Sequence, residues 1–527
     1  MITVDYKDHY FLLWFPYNEG DLAKVRSLPN REWIKKEKIW KIPELATLSL
    51  EKLSNCKWTE EAEKRKDSIK KALLSLVDLK FKQYEKRSIL REYQATGVEY
   101  LKKAKKVLLA DDTGLGKTIQ AIQAMLDLNL SSNLIVCPAT LKYNWANEFK
   151  KHFGIGSCVV AGNKTEREKA WKSDTQFKIA NYDLLSADAS IIKEKWDVIV
   201  VDEAVYLKNP KADRTQAARK LKSDYRWALS GIPMETNLLD FHSIMEWVRP
   251  GLLAKAYPFK YRHTIFDWAG KPIGYKNLEE IHVLTSPFVL RRKKEDVLKE
   301  LPPKIFFDIQ LEFGKEERKA YDAIREEFLE WLKEQTGNNW QSNALTKLVR
   351  MRQFVEFPSM VGFKNFQSAK LEWLKELKEA EAKIVVFTPF VESLKNLKEI
   401  FETKYIIYGD IKAEDRIKTI DEFNQVENGI LISTDAGRFG INITGANNIV
   451  HFGYFFNPAT ITQREDRLHR IGQKSVVNVF RPAISDTVDE GIQRVFLNRA
   501  EEASDFMEGS SEMSFSRLSK KDFMEVA

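Results

Sequence analysis

The chain reads as an α/β protein with two tandem parallel-sheet lobes, a small α+β module at the amino terminus and helical insertions. Three observations predict this. Short apolar runs bounded by turn residues recur at 107–110, 134–137, 198–201 and 227–229, with helical stretches between them. The same grammar returns at 384–387, 405–408, 430–433 and 448–451. Continuous apolar strands linked by helices belong to parallel sheets covered on both faces. The third observation is the turn Ala110-Asp111-Asp112-Thr113-Gly114-Leu115-Gly116-Lys117-Thr118, which joins an apolar strand to a helix.

Taken in order, residues 1–45 alternate strand-like aromatic segments (10–15 and 38–43) with a short helix (21–26), and form the α+β module. Residues 46–87 are rich in Lys, Glu and Leu at helical spacing and are expected to be a helical linker. The first lobe is expected over 88–250 and an inter-lobe connector with a hairpin-like stretch (265–275) over 251–304. A helical insertion follows over 305–367, then the second lobe over 368–485. Residues 486–527 are expected to be a helix and a polar, serine-rich tail.

Composition narrows the class. At 527 residues the chain is long enough for several domains. Its 43% hydrophobic and 30% charged residues exclude a disordered or fibrous protein. A net charge of +8 permits a nucleic-acid partner through local basic patches without requiring one. Cys56, Cys137 and Cys158 lie far apart without CxxC spacing, and no histidine pair has ligand spacing, so neither a zinc site nor a disulfide framework is expected. The start lacks a charged segment followed by an apolar run, and apolar stretches are of strand length. A soluble intracellular protein away from membranes is therefore expected.

The glycine-rich turn is a phosphate loop. Gly114 and Gly116 let the backbone present N–H groups to phosphate oxygens, Lys117 adds positive charge, and the Thr118 hydroxyl suits Mg²⁺. Such a loop needs carboxylates at a neighbouring strand end, and Val200-Val201-Asp202-Glu203 supplies them. Asp202 would hold the Mg²⁺ and Glu203 would act on the attacking water as general base.

Further segments occur in a definite order: Leu90-Arg91-Glu92-Tyr93-Gln94, Asp202-Glu203-Ala204-Val205, Leu229-Ser230-Gly231-Ile232-Pro233-Met234, 289–297 with 301–304, 433–442 and 463–473. Over residues 88–485 this set resembles the SNF2 type of superfamily 2 ATPases. The resemblance implies two RecA-like lobes, ATP and Mg²⁺ as cofactors and DNA as partner. It implies that Gln94 reads adenine beside Arg91, and that Asp112, Thr113, Gly114, Gly116, Lys117 and Thr118 hold the phosphates. Gly440 and Gln463 would complete the nucleotide contacts. Arg467 and Arg470, three apart and expected on one helix face, would meet the γ-phosphate as arginine fingers.

Leu28-Pro29-Asn30-Arg31-Glu32-Trp33 and Lys38-Ile39-Trp40-Lys41-Ile42-Pro43 resemble the HARP module of annealing helicases, and 278–292 is similar to the same subfamily. That resemblance implies remodelling of branched DNA by fork reversal, branch migration or strand annealing, in replication, recombination or repair. Forks and Holliday junctions would be the substrates, and the protein would act as a monomer on DNA. Expected DNA contacts are Arg31, Trp40, Lys142, Trp145 and Thr434, and the 265–275 hairpin is a candidate wedge at a fork. A bacterial or phage-infected cytoplasm is the expected setting, or the nucleus in a eukaryote. The competing readings are a chromatin-type remodeller, an RNA helicase and a DNA-binding scaffold with weak ATPase.

The chain departs from the SNF2 pattern at four places. Val205 replaces a histidine and Ile232 a threonine, and an apolar contact between them is expected in place of a polar one. Asp435 stands where lysine is common, and Arg438-Phe439 replace small residues.

Overall fold

The computed structural model describes all residues except 52, 85–88, 235–236, 269, 271, 335–340, 367, 382, 436–441, 455–457, 495–512 and 515–527. The chain divides into two compact units, Met1–Val297 with Asp505–Ser514, and Leu298–Ser504 with Phe515–Ala527.

The first unit begins with a five-stranded sheet: β1 (Ile2–Lys7), β2 (Tyr10–Trp14), β3 (Glu32–Ile34), β4 (Ile39–Pro43) and β5 (Cys56–Trp58), in the order β3-β4-β2-β1-β5. Register places Val4 opposite Leu13 and Phe11 opposite Ile42, and all four are fully buried on one face. The helix Glu19–Ser27 starts where Asn18 accepts from the Asp21 N–H at 2.9 Å. The module does not end at residue 45. β5, inside the stretch expected to be a helical linker, pairs in parallel with β1, and the long helix starts only at Glu60. Three residues of mixed polarity were too few to read as a strand.

Next comes a sheet of β6 (Lys106–Leu109), β7 (Asn133–Cys137), β8 (Cys158–Val159), β9 (Phe177–Asn181), β10 (Lys195–Asp202) and β11 (Lys222–Leu229). The hairpin β12 (Thr264–Phe266) and β13 (Pro272–Tyr275) follows, and then β14 (Val289–Leu290). The seven-stranded order is β14-β6-β11-β10-β7-β9-β8, with every pairing parallel, as the buried apolar runs require. β14 lies within the expected connector yet forms the edge of this sheet.

The second unit holds β15 (Lys304–Leu311), β16 (Lys383–Phe387), β17 (Ile406–Ile407), β18 (Gly429–Ser433), β19 (Asn448–His451) and β20 (Val477–Ile484). Their order is β15-β20-β19-β16-β18-β17, again all parallel. The stretch 305–367, expected to be a helical insertion, opens with β15 before its helices begin. This edge strand exposes most of its residues, and its short apolar run Ile305-Phe306-Phe307 is broken by Asp308 and Gln310. The helices Lys315–Glu334 and Gln341–Glu356 follow, packing Tyr321, Phe328, Leu348 and Phe354 into a core shared with Ile461 and with Ala483 and Ile484 of β20. Most of the expected polar tail lies outside the described residues; Met513 and Ser514 pair with β13. Among the described residues no helix is long and apolar enough to cross a membrane.

Candidate active site

Strand register assembles the site of the first unit. Leu109 at the end of β6 pairs with Leu229 of β11, which pairs with Asp202 of β10. The segments that leave these three strands therefore emerge side by side at one sheet edge. With neighbouring strands about 4.8 Å apart, the phosphate loop and the carboxylate pair sit roughly 10 Å from each other, with Ser230 and Gly231 between. The Ser230 N–H donates to the Leu109 carbonyl at 3.2 Å. A Cβ on Gly231 would come within 2.8 Å of Thr113 Cγ2 and 3.5 Å of Lys117 Nζ, so glycine is what lets this loop lie against the phosphate loop.

The phosphate loop has the form its sequence predicts. Gly116 adopts φ +75° at the start of the helix Lys117–Leu128, where no side chain caps the first turn. The N–H groups of that turn are thus offered to an anion along the favourable end of the helix dipole. Lys117 Nζ donates to the carbonyls of Asp111 (2.6 Å) and Asp112 (3.2 Å). Thr118 is the second residue of this helix. Gln94 is buried against the loop: its Oε1 accepts from the Arg91 N–H at 2.9 Å and its Nε2 donates to the Leu115 carbonyl at 3.1 Å. Arg91, Tyr93, Thr96, Ile119 and Arg291 help to line a cavity of about 1300 Å³, large enough for a base and sugar.

The carboxylates are held from behind. Asp202 Oδ2 accepts the indole N–H of Trp145 at 2.8 Å, and its Oδ1 accepts the Glu203 N–H at 2.9 Å. Tyr182 donates its hydroxyl to the Asp202 carbonyl at 2.6 Å and stacks on Tyr206 at 5.1 Å. Burial, and then the nearby Asp202, push the Tyr182 phenol up, so it stays a neutral donor. Glu203 has φ +50°, a left-handed backbone that costs energy in a non-glycine residue and aims it away from the strand direction.

The residues present fit ATP with a magnesium ion. Among the described residues no group of three His, Cys, Asp or Glu could hold a metal alone. A hard cation supported by one carboxylate, one hydroxyl and the substrate's own phosphates needs no such group.

Sequence reasoning missed a buried clasp beside the loop. Arg292, just after β14, donates from Nε to Asp111 Oδ1 (2.9 Å) and from Nη2 to Gln120 Oε1 (2.8 Å). It also reaches Asp111 Oδ2 and the Tyr93 carbonyl. Gln120 Nε2 closes the circuit on Asp111 Oδ2 at 3.2 Å. Backbone bonds run alongside: the Ala110 N–H to the Leu290 carbonyl (2.7 Å) and the Asp112 N–H to the Arg292 carbonyl (3.0 Å). The paired arginines at 291–292 were a visible signal, but nothing nearby in sequence named their partner.

Three of the expected DNA contacts, Trp145, Lys142 and Thr434, are buried, while Arg31 and Trp40 are half-buried. Trp145 is buried in the core as the donor to Asp202, and no face of it is open to DNA. Lys142 is buried too, its Nζ donating to the Val160 carbonyl at 2.9 Å, and burial pushes its pKa down. Thr434 is buried beyond the end of β18. Arg31 is half-buried and donates to the Leu28 carbonyl at 2.9 Å. Trp40 is half-buried with its ring 5.1 Å from that of Trp33.

In the second unit, Gln463 and Arg464 lie buried on the helix Pro458–Glu465. Arg467 and Arg470 do not share a helix face. The helix stops at Glu465, and they sit in tight turns where the Arg467 N–H meets the Arg464 carbonyl (3.1 Å) and the Arg470 N–H the Leu468 carbonyl (3.2 Å). Glu465 pairs with Lys304 (2.8 Å), His451 (3.4 Å) and Arg481 (3.5 Å), which ties the segment to β15, β19 and β20. Asp435 takes the guanidinium of Arg464 at 2.8 Å. Gly440 and Arg438-Phe439 lie outside the described residues. Val205 is buried and Ile232 half-buried.

Comparison with known proteins agrees with this architecture. The family model described as SNF2-related domain matches residues 93–360, and the one described as helicase conserved C-terminal domain matches 369–472. An uncharacterized ATP-dependent helicase of Mycoplasma pneumoniae is 32% identical, over 92% of this chain and 48% of its own length. A putative ATP-dependent helicase/translocase of Bacillus subtilis, YwqA, is 29% identical over 77% of this chain and 47% of its own. The SWI2/SNF2 ATPase core of Sulfolobus solfataricus, solved in complex with dsDNA, is 30% identical with a TM-score of 0.39, covering 82% of this chain and 95% of that one. The chain spans about half the length of the curated relatives it matches.

Proposed function

The chain belongs to the SNF2-related family, and from that premise we propose that it is an ATP-hydrolysing motor that acts on DNA, engaging branched duplexes such as forks and four-way junctions as a monomer. One observation carries the ATPase part: register across β6, β11 and β10 sets Lys117, Gly231 and the Asp202-Glu203 pair at one sheet edge. Lys117 and the first-turn N–H groups would bind the β- and γ-phosphates, and Thr118 and Asp202 would hold a magnesium ion, which would screen phosphate charge. Glu203 takes the proton of the attacking water. Gln94 and Arg91 serve the base side.

The DNA part is supported by the relatives: the Sulfolobus core was solved with dsDNA, and the bacterial relatives are named as helicases or a translocase. The branched-DNA part rests on the resemblance of residues 28–33 and 38–43 to the HARP module; these segments contribute to the paired strands β3 and β4. A chromatin-type remodeller is the second reading, favoured by a 28% identical mouse protein named as a regulator of chromatin.

The test is ATP hydrolysis by the purified protein with no DNA, single strands, plain duplex and a forked or four-way substrate, with Lys117→Ala alongside. The proposal expects stimulation greatest on branched DNA and loss of at least about a hundredfold in the variant. Equal stimulation by duplex and branched DNA would remove the branched-DNA part. No response to any DNA would remove the motor.

A further inference from the structure

The helix Ala256–His263 and the β12–β13 hairpin carry an aromatic surface that the nucleotide site does not use. Trp268 is 99% exposed, Tyr257 72% and Tyr261 53%. The helix explains why the tyrosines face outward. Phe259 and His263 occupy its other side, packed in a buried row with ring centroids 4.6 Å (His242–Phe259) and 4.8 Å (Phe259–His263) apart. Tyr257 and Tyr261, four residues apart, are left on the outer face with centroids 4.6 Å apart, and Tyr261 continues to Phe266 of β12 at 5.3 Å.

The base under this row is rigid. Arg262 pairs with Glu280 at 2.6 Å and also donates to the Arg26 carbonyl at 3.3 Å, fixing the helix to the amino-terminal module. Tyr275 of β13 accepts the Leu238 N–H at 3.0 Å, and Asn277 Nδ2 donates to the Arg262 carbonyl at 3.0 Å. Tyr257 and Tyr261 are thus held outward by the packed side of their helix, and Trp268 follows in the turn of the hairpin.

The local charge names the kind of partner. Residues 255–276 contain Lys255, Lys260, Arg262, Lys271 and Lys276 against Asp267 alone. Arg262 is spent on Glu280, but Lys260 sits with its ammonium 5.8 Å from the Phe266 ring, inside the aromatic row. Flat rings interleaved with lysines suit a polymer of alternating π-faces and phosphates. A protein-docking patch would be expected to add exposed aliphatics, and here Ile273 is the exposed one on the described part of the hairpin.

We propose that Tyr257, Tyr261, Phe266 and Trp268 form a stacking platform for unpaired nucleobases, with Lys255, Lys260 and Lys276 meeting the backbone of the same single strand. The proposal rests on the DNA reading above and assigns this surface to the single-stranded part of the substrate. Stacking on ring faces is open to every base, so the platform is largely indifferent to sequence.

The test uses the full chain without nucleotide, binding labelled oligo-dT and a blunt duplex, with Trp268→Ala, Trp268→Phe and a Tyr257→Ala/Tyr261→Ala variant. The alanine variants are expected to weaken oligo-dT binding about tenfold each while duplex binding shifts by about twofold or less. Trp268→Phe should keep most of the affinity, and oligo-dT should quench a tryptophan emission component that this variant lacks. Because these side chains are exposed, thermal unfolding should be unchanged. Equal losses on duplex and single strand, or a Trp268→Phe variant as weak as Trp268→Ala, would overturn the platform. So would unchanged oligo-dT binding, including the case where the variants alter binding to anionic vesicles or self-association instead. If duplex still stimulates hydrolysis while oligo-dT binding is unchanged, the platform alone fails; if the wild-type chain binds no nucleic acid, the DNA reading fails first.

Discussion

Trp145 and Asp435 show single side chains doing work that their motif neighbours do not reveal. The Trp145 indole holds one oxygen of Asp202, and the Asp202 backbone carbonyl is held by Tyr182, so the carboxylate direction is set from the protein side. Trp145→Phe keeps the packing and removes one charge-assisted hydrogen bond, worth about 1.5–3 kcal/mol. Hydrolysis should fall roughly tenfold at saturating ATP with nucleotide affinity changed less than about threefold. A steady-state rate with a parallel nucleotide-binding titration checks this, and equal losses in both would show that Trp145 is only a packing residue. Asp435 was puzzling as a replacement for a common lysine. Its pairing with the buried Arg464 explains it, because a lysine there would set two cations together inside the unit.

At the scale of elements, β14 and the phosphate loop behave as one object. Arg292 is nearly buried and Asp111 fully so, which makes their pair costly to break on one side only. Arg292→Leu or Asp111→Leu alone should destabilise the first unit by about 3–5 kcal/mol, whereas the double variant recovers most of that. Urea unfolding of the full chain measures it; additive losses would mean the two residues are not coupled. This element also marks the limit of sequence reading. The inner strands were legible because burial on both faces makes them continuous apolar runs. β5, β14 and β15 were not, since they are short or solvent-facing edge strands whose pairing depends on distant residues. In the site, Lys117, Asp202 and Glu203 were legible from their spacing, while the Arg292 clasp spans some 180 positions and leaves no local pattern. Trp145 was singled out for the wrong partner, because an aromatic beside lysines at a helix start looks the same whether it faces DNA or the core.

For the whole molecule, the modest net charge of +8 means that the proposed affinity for DNA would have to come from local patches, such as the one proposed at 255–276, rather than from a general field. Even so, each phosphate neutralised releases counterions. Raising monovalent salt from about 50 to about 200 mM should lower DNA affinity at least about a hundredfold while hydrolysis without DNA changes little. Fluorescence anisotropy across a salt series reads this, and a flat response would contradict binding through lysines and arginines. The clasp carries a further consequence for how the chain is made. During synthesis the phosphate loop leaves the ribosome long before Arg292 does, by on the order of 10–30 s at ordinary elongation rates. Through that interval Asp111 and Gln120 have no guanidinium to close on, and β6 lacks one of its two neighbours. The nucleotide loop is thus among the earliest parts of its lobe to be translated and among the last to be locked, so a nascent chain paused before residue 292 exposes an unfinished sheet edge to the cell's chaperones.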